Sequence, residues 1–401
     1  MDPRAYLSSL KPLAIRLGLG RMERAVAALG HPERAFPVLH VAGTNGKGST
    51  CAMSAEALRQ AGHLVGLYTS PHLVRFGERI QVDGRAITDE ELARAVDQVR
   101  AACPWHERGP EDDRLTYFEF ATLLAFVHFA ERRVDVAVVE VGLGGRFDAT
   151  NVVAPLVTAV SRIGLDHEAM LGGTLGAIAG EKAGIFKPGV PAVVAASQPP
   201  EAMARLEAEA AARGAPFHVA AESWDGPIAL RGPHQAGNAA LAAAALRLLD
   251  AAGVAVPEAA IARGLATARW PGRLEEVGGV LLDGAHNPDG AAALAAALRA
   301  LHPGRPVELV FGVLADKDHR RMLAALAPEV RGMHLVAPAS PRARAPEDYL
   351  ELARSYGPRV DVHASCREAL DCARAAAGDG ALVCAAGSLY LVGEARELLR
   401  G

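Results

Sequence analysis

FPVLHVAGTNGKGST, residues 36 to 50, decides the fold, because it reads as a buried strand, a glycine-rich turn and the start of a helix. The run from Phe36 to Ala42 is short, apolar and partly β-branched, and it lies between Pro37 and Gly43, which predicts a strand buried on both faces of a sheet. Gly43, Gly46 and Gly48 permit positive φ and let backbone N–H groups approach an anion, while Ser49, Thr50 and Cys51 open an Ala-rich helix. Lys47 supplies a point charge. The common phosphate-binding loop has a hydroxyl residue directly after its lysine, whereas Gly48 intervenes here before Ser49. A glycine turn of structural purpose is the alternative, and Lys followed by Gly-Ser-Thr argues for a nucleotide.

A chain of 401 residues is too long for one core and suits two or three domains. Hydrophobic residues at 50% and charged residues at 22% describe a globular protein. No apolar run reaches the roughly 18 residues of a membrane span, and the N-terminus lacks the apolar core of a signal peptide, so a cytoplasmic protein with no membrane partner is expected. A net charge of −4 argues against a nucleic-acid partner. The five cysteines contain no CxxC pair, which indicates neither a disulfide framework nor a zinc knuckle. Of 42 basic residues only five are lysine: Lys11, Lys47, Lys182, Lys187 and Lys317. A lysine that persists in so arginine-rich a chain draws attention, because an amine can do chemistry that a guanidinium cannot. Lys11 and Lys187 read as accidental survivors.

Residues 5 to 30 predict two helices around a turn at Leu17 to Gly20. After the glycine turn a helix continues to Ala61, a second strand runs from Leu64 to Thr69, and Ser70 to Gly84 reads as a long functional loop. Thr88 caps a helix to Ala102, and Leu115 to Arg133 is a helix with an aromatic stripe. Val134 to Val141 predicts a buried strand that carries Glu140 almost at its end, where a carboxylate is costly without a partner. Leu156 to Ile163 is the next strand and leads into Gly164-Leu165-Asp166-His167. Ligands of open parallel sheets gather beyond the C-terminal strand ends, where Gly43, Ser70, Glu140 and His167 would lie, as suits a Mg²⁺ site. Residues 218 to 231 read as polar and irregular, and Asn238 sits at the head of an Ala-rich helix. Arg269 to Arg273 is the expected boundary, dividing the chain into 1–269 and 270–401, and beyond it strands and helices alternate again as a smaller parallel α/β domain.

HVAGTNGKGS, SPHL with ERI, TYFEF, EVGLGGRFDATN, IGLDH, GEKAGIFK, DGAHNP and GSLYLVGEA, which together span residues 40 to 395, resemble the folylpolyglutamate synthase and dihydrofolate synthase family of the Mur ligase superfamily. The one small departure is Phe147, where the family usually has Leu. The resemblance implies an α/β fold with a P-loop NTPase-like, parallel-sheet ATPase domain followed by a smaller Rossmann-like domain. It implies an amide ligase that uses ATP to activate a carboxylate of a reduced folate or of dihydropteroate as an acyl phosphate, which the amine of L-glutamate then attacks. Thr44, Asn45, Gly46, Lys47, Gly48 and Ser49 would hold the ATP phosphates, with Lys47 at the transferring end. Asn238, Arg273, Asp283 and His286 would contact ATP as well. Ser49, Ser70, Glu140 and His167 match magnesium ligands, and two Mg²⁺ ions are implied. Lys182 matches a lysine carried as a CO₂-derived carbamate, and a helix-surface ion pair to Glu181 or another carboxylate is its alternative. Lys47, Lys182 and His167 are thus the catalytic candidates. Leu17, Gly18, Thr116, Tyr117, Phe118, Glu119, Phe147, Asp148 and Ala149 are candidates for the pterin substrate. The implied partners are small molecules and the implied state is a monomer. A nucleotide-driven switch without ligase chemistry and a cell-wall peptide ligase are the competing readings, and the latter would carry an extra N-terminal domain before the ATPase domain.

Overall fold

The computed structural model describes residues 3–10, 16 and 18–400. Two compact units emerge: one comprises Met1–Ile163, Ala169–Ala229 and Gly237–Ala268, and the other Gly164–Glu168, Leu230–Ala236 and Arg269–Gly401. Both are α/β, and no described helix is long and apolar enough to cross a membrane.

In the first unit the strands are β1 (Val38–Ala42), β2 (Val65–Tyr68), β3 (Ile80–Val82), β4 (Arg85–Ala86), β5 (Val136–Glu140), β6 (Val157–Val160), β7 (Ala192–Val194) and β8 (Phe217–Val219). They lie in the order β4-β3-β2-β5-β1-β6-β7-β8. From β2 to β8 every pairing is parallel, while β3 and β4 add an antiparallel edge. The central strand β1 is buried along its whole length, as a strand covered on both faces must be. Register fixes what meets at its end: Val41 pairs with Glu140 and Ala42 with Val160, and Tyr68 pairs with Val139. The residues just beyond β1, β2, β5 and β6 therefore share one rim.

Three expectations are corrected here. Ser70 to Gly84 is not wholly loop, since a 3₁₀ turn at Phe76–Arg79 leads into β3. Residues 218 to 231 are not irregular from their start, because Phe217–Val219 forms the far edge strand. The second sheet, formed by β9 (Glu275–Val277), β10 (Val280–Leu282), β11 (Val307–Phe311), β12 (Val330–Leu335), β13 (Arg359–Val362) and β14 (Leu382–Ala386), is not purely parallel. Its order is β13-β12-β11-β14-β10-β9, with β9 antiparallel to β10. All of these missed strands are two or three residues long, too short for a period of two to register.

His40 sits mid-strand in β1, fully buried, with Nε2 at 2.8 Å from Thr150 Oγ1 and no partner for Nδ1. Burial, and then the charge of Lys187, push its imidazole down to about 3. It is therefore neutral in the folded protein, while the unfolded chain takes up the proton below about pH 6.5, so stability falls as pH drops through that window. From pH 7 to pH 5 this group alone should cost about 2 kcal/mol. His40→Leu should lose about that much less over the same interval in urea unfolding, and equal losses in both proteins would refute the assignment.

Candidate functional site

The helix Lys47–Gln60 begins directly on the glycine turn, earlier than the sequence suggested, and its N-cap is Gly46 in a left-handed conformation at φ 91°. Gly46 has no side chain to accept the first-turn N–H groups, and such groups lack intrahelical acceptors, an arrangement that suits an anion. Close packing explains the glycines as much as φ does. A Cβ on Gly46 would lie 2.3 Å from Asn238 Oδ1, and one on Gly43 would lie 1.9 Å from Ser161 Oγ. The loop is tied to the sheet by Thr44 N and Asn45 N, which donate to the Arg162 carbonyl at 3.0 and 3.2 Å. Lys47 Nζ donates to Thr44 O at 3.2 Å, and the Ser49 side chain is buried in the first helical turn.

Beside the loop, Lys182 at the end of helix Leu175–Lys182 is buried and donates from Nζ to Gly43 O at 2.8 Å. Glu181 is paired with Arg146 at 3.2 Å, and Lys182 is buried rather than on the helix surface. Glu140 ends β5, only 4% exposed, and its Oε2 accepts the Ser70 N–H at 3.1 Å. A buried carboxylate met by a backbone donor at the strand-end rim suits a hard divalent cation, with Ser49 and Ser70 as neutral oxygen donors. Among the described residues no three His, Cys, Asp or Glu side chains gather as a metal cluster. On this rim Glu140 is the one candidate carboxylate, and Ser49 and Ser70 are candidate hydroxyl donors.

His167 groups with the second unit. Its backbone is left-handed at φ 52°, its N–H donates to Asp166 Oδ1 at 2.9 Å, and Lys317 Nζ lies 3.4 Å from its Nε2. Asp166 also meets Lys317 Nζ at 2.6 Å and Asn287 Nδ2 at 3.0 Å. Burial raises its carboxyl, but the Lys317 ammonium, His167 and His286 outweigh that and hold it well below the usual carboxylate range. Past the end of β10, Asp283 accepts N–H groups from Leu274 at 3.0 Å and Ala285 at 2.9 Å, which shapes the turn carrying Arg273. Burial raises Asp283 against the pull of Arg273 and His234. His286 Nδ1 donates to Gly284 O at 2.8 Å and its burial lowers it to about 4, so near neutral pH its Nε2 is an acceptor. Asp166, Asn287 and Lys317 were not assigned from sequence. Only the scarcity of lysine pointed at Lys317, and its partner is 151 positions away.

Of the pterin candidates, Leu17 lies outside the described residues and Gly18 is a positive-φ turn. Thr116 and Glu119 form a reciprocal cap on helix Tyr117–Arg132, and Arg21 Nε adds a bond to Glu119 at 3.0 Å. Asp148 is buried and accepts from Leu143 N and Thr150 N, with its carboxyl raised first of all by burial. These carboxylates hold the local backbone. Tyr117 lies edge-on to Phe76 under Arg79, Phe118 packs against Tyr68, and Ala149 is buried. Phe147, by contrast, is 44% exposed and able to meet a ligand ring.

Residues 272–389 match the Mur ligase, glutamate ligase domain. The chain is 37% identical to a Bacillus subtilis dihydrofolate synthase/folylpolyglutamate synthase, over 100% of this chain and 99% of the relative. Its fold is similar to that of Escherichia coli FolC in complex with DHPP and ADP, with a TM-score of 0.90 at 35% identity, covering 100% of this chain and 98% of the other. A bifunctional folylpolyglutamate synthase/dihydrofolate synthase from Yersinia pestis, complexed with AMPPNP and a Mn ion, matches with a TM-score of 0.88 at 31% identity, over 100% and 98% of the two chains.

Proposed function

Since the chain belongs to the folylpolyglutamate synthase and dihydrofolate synthase family of ATP-dependent ligases, we propose that it joins the amino group of L-glutamate to a carboxylate of a reduced folate, of dihydropteroate, or of both. The observation that carries the reading is the glycine turn from Gly43 to Ser49, bonded to Lys182 and close to the Glu140 and Ser70 rim.

In the proposed reaction the acceptor carboxylate attacks the γ-phosphorus of ATP, the bond to the β-phosphate oxygen breaks, and ADP leaves an acyl phosphate. The glutamate amine then adds to the acyl carbon, phosphate departs and the amine proton is lost. Charge accumulates on the transferring phosphoryl group, so the work of the chain is positioning and electrostatic compensation. The first-turn N–H groups after Gly46 orient the phosphates, Lys47 adds a positive charge, and Asn238 packs against the turn that holds them. Glu140, Ser49, Ser70 and His167 would hold the divalent cation, which screens phosphate charge when bound. A carbamate on Lys182 would give that cation a further anionic oxygen. Asn238, Arg273, Asp283 and His286 are proposed for ATP, and Gly18, Thr116 to Glu119 and Phe147 to Ala149 for the pterin.

Purified protein given ATP, glutamate and either dihydropteroate or tetrahydrofolate should release ADP in a glutamate-dependent manner and yield an acceptor heavier by one glutamyl residue. ATP turnover that ignores glutamate and forms no amide would favour the nucleotide switch, and product only with a nucleotide-linked sugar peptide would favour a cell-wall ligase. The two acceptors separate the two activities from each other. The reading carries a cytoplasmic, monomeric protein with it; all five cysteines are unpaired, as suits a reducing compartment.

A further inference from the structure

Lys317 follows β11 just before the helix His319–Leu326, and with 8% of its surface exposed it is buried. Its ammonium lies 2.6 Å from Asp166 Oδ1, while Asp316 Oδ2 is farther away at 3.5 Å. Asp166 thus faces three donors: Lys317 Nζ and the His167 N–H on Oδ1, and Asn287 Nδ2 on Oδ2. Asn287 is itself immobilised, because its Oδ1 caps helix Pro288–Leu301 through Gly290 N at 2.8 Å. The consequence falls on His167. A left-handed backbone at φ 52° is strained for a residue with a Cβ and persists only where neighbours impose it. The Asp166 carboxylate supplies such a restraint through the His167 N–H, and a buried carboxylate stays charged and fixed only with its cation.

We propose that Lys317 is a positioning residue for the ligation reaction: by pinning Asp166 it sets the backbone and imidazole of His167 for divalent-cation binding. The proposal rests on the ligase reading, which gives His167 its place at the metal. Lys317 acts on His167 through the Asp166 carboxylate, as partners one step removed from a metal commonly do, and its ammonium also lies 3.4 Å from the His167 Nε2.

The test uses Lys317→Met, which keeps length and loses charge, together with Lys317→Arg, Asp166→Asn and the Lys317→Met/Asp166→Asn pair, all in the full chain. Mn²⁺ binding in the presence of ADP is followed by electron paramagnetic resonance, and kcat and KM by steady-state assay at several Mg²⁺ concentrations. Lys317→Met and Asp166→Asn should each weaken Mn²⁺ binding by about tenfold or more, with ADP affinity in EDTA near the wild-type value. Turnover should recover in part at high Mg²⁺, the KM for glutamate should stay put, and the double variant should be no worse than the weaker single. Wild-type Mn²⁺ affinity in Lys317→Met overturns the proposal, and so do losses that multiply in the double variant, which would mean that Lys317 meets substrate directly. Should Lys317→Met not fold, Lys317→Arg decides: Mn²⁺ affinity close to wild type supports the proposal, and affinity as low as in His167→Ala overturns it. A wild-type protein that binds Mn²⁺ with ADP yet forms no glutamyl amide would fail the ligase reading and leave this measurement standing.

Discussion

Lys182→Ala is expected to retain no more than about one-hundredth of wild-type turnover, the size of loss that follows removal of a group compensating transition-state charge. The structure sharpens the reason. Lys182 is only 5% exposed and its Nζ is held on the Gly43 carbonyl at 2.8 Å, at the first residue of the phosphate turn. A protonated ammonium would be repelled by a divalent cation rather than bind it. A carbamate formed from the neutral amine and CO₂, with loss of one proton, would instead bring an anionic oxygen that a hard cation accepts while the remaining N–H can still donate to Gly43. Arginine does not readily make that adduct, which would account for a lysine here in a chain that otherwise prefers arginine. Acetate or another short carboxylate added to Lys182→Ala should restore part of the activity, and Lys182→Arg should stay inactive despite its charge. Near-normal turnover in Lys182→Arg, or an unmodified side chain in density from a magnesium-bound crystal, would sink the carbamate.

What the sequence made legible, and what it did not, follows from the range of the interactions involved. The strand, glycine turn and helix around Gly43 to Thr50 could be read directly, because the signals for φ, burial and helix start are local. The start of the helix was placed late, since Gly46 caps it without a side chain and so leaves no capping signature. Glu140 could be singled out from its cost in an apolar strand, and one of its partners is the Ser70 N–H, brought there by the pairing of β2 with β5. The strands β3, β4, β8 and β9 escaped because each is only two or three residues long. The group around Asp166 escaped for another reason. Asp166, Asn287 and Lys317 come from three distant segments, and nothing in any one of them specifies the other two. Glu119 and Asp148 stand in motifs that read as ligand groups, and in the structure they accept from backbone N–H groups, from Arg21 and from the Thr150 hydroxyl, contacts between segments that no single motif specifies.

Lys47→Ala should lower kcat by at least about a hundredfold, several kcal/mol of transition-state stabilisation, while the KM for glutamate changes by no more than about threefold. The lysine is partly exposed and its ammonium rests on its own loop, 3.2 Å from Thr44 O. A single neutral carbonyl competes poorly with anionic phosphate oxygens for an ammonium, so the side chain is near its post without being consumed by the fold. A point charge on the transferring phosphate is felt most strongly as charge redistributes during transfer, which places the loss in kcat rather than in ground-state binding of glutamate. Because Gly46 and Gly43 are fixed by packing against Asn238 and Ser161, the turn should survive removal of the lysine, and the melting temperature should stay within a few degrees of wild type. A fall in turnover of less than tenfold would show that the backbone N–H groups and the cation suffice. A parallel rise in the KM for glutamate would instead place Lys47 in substrate docking.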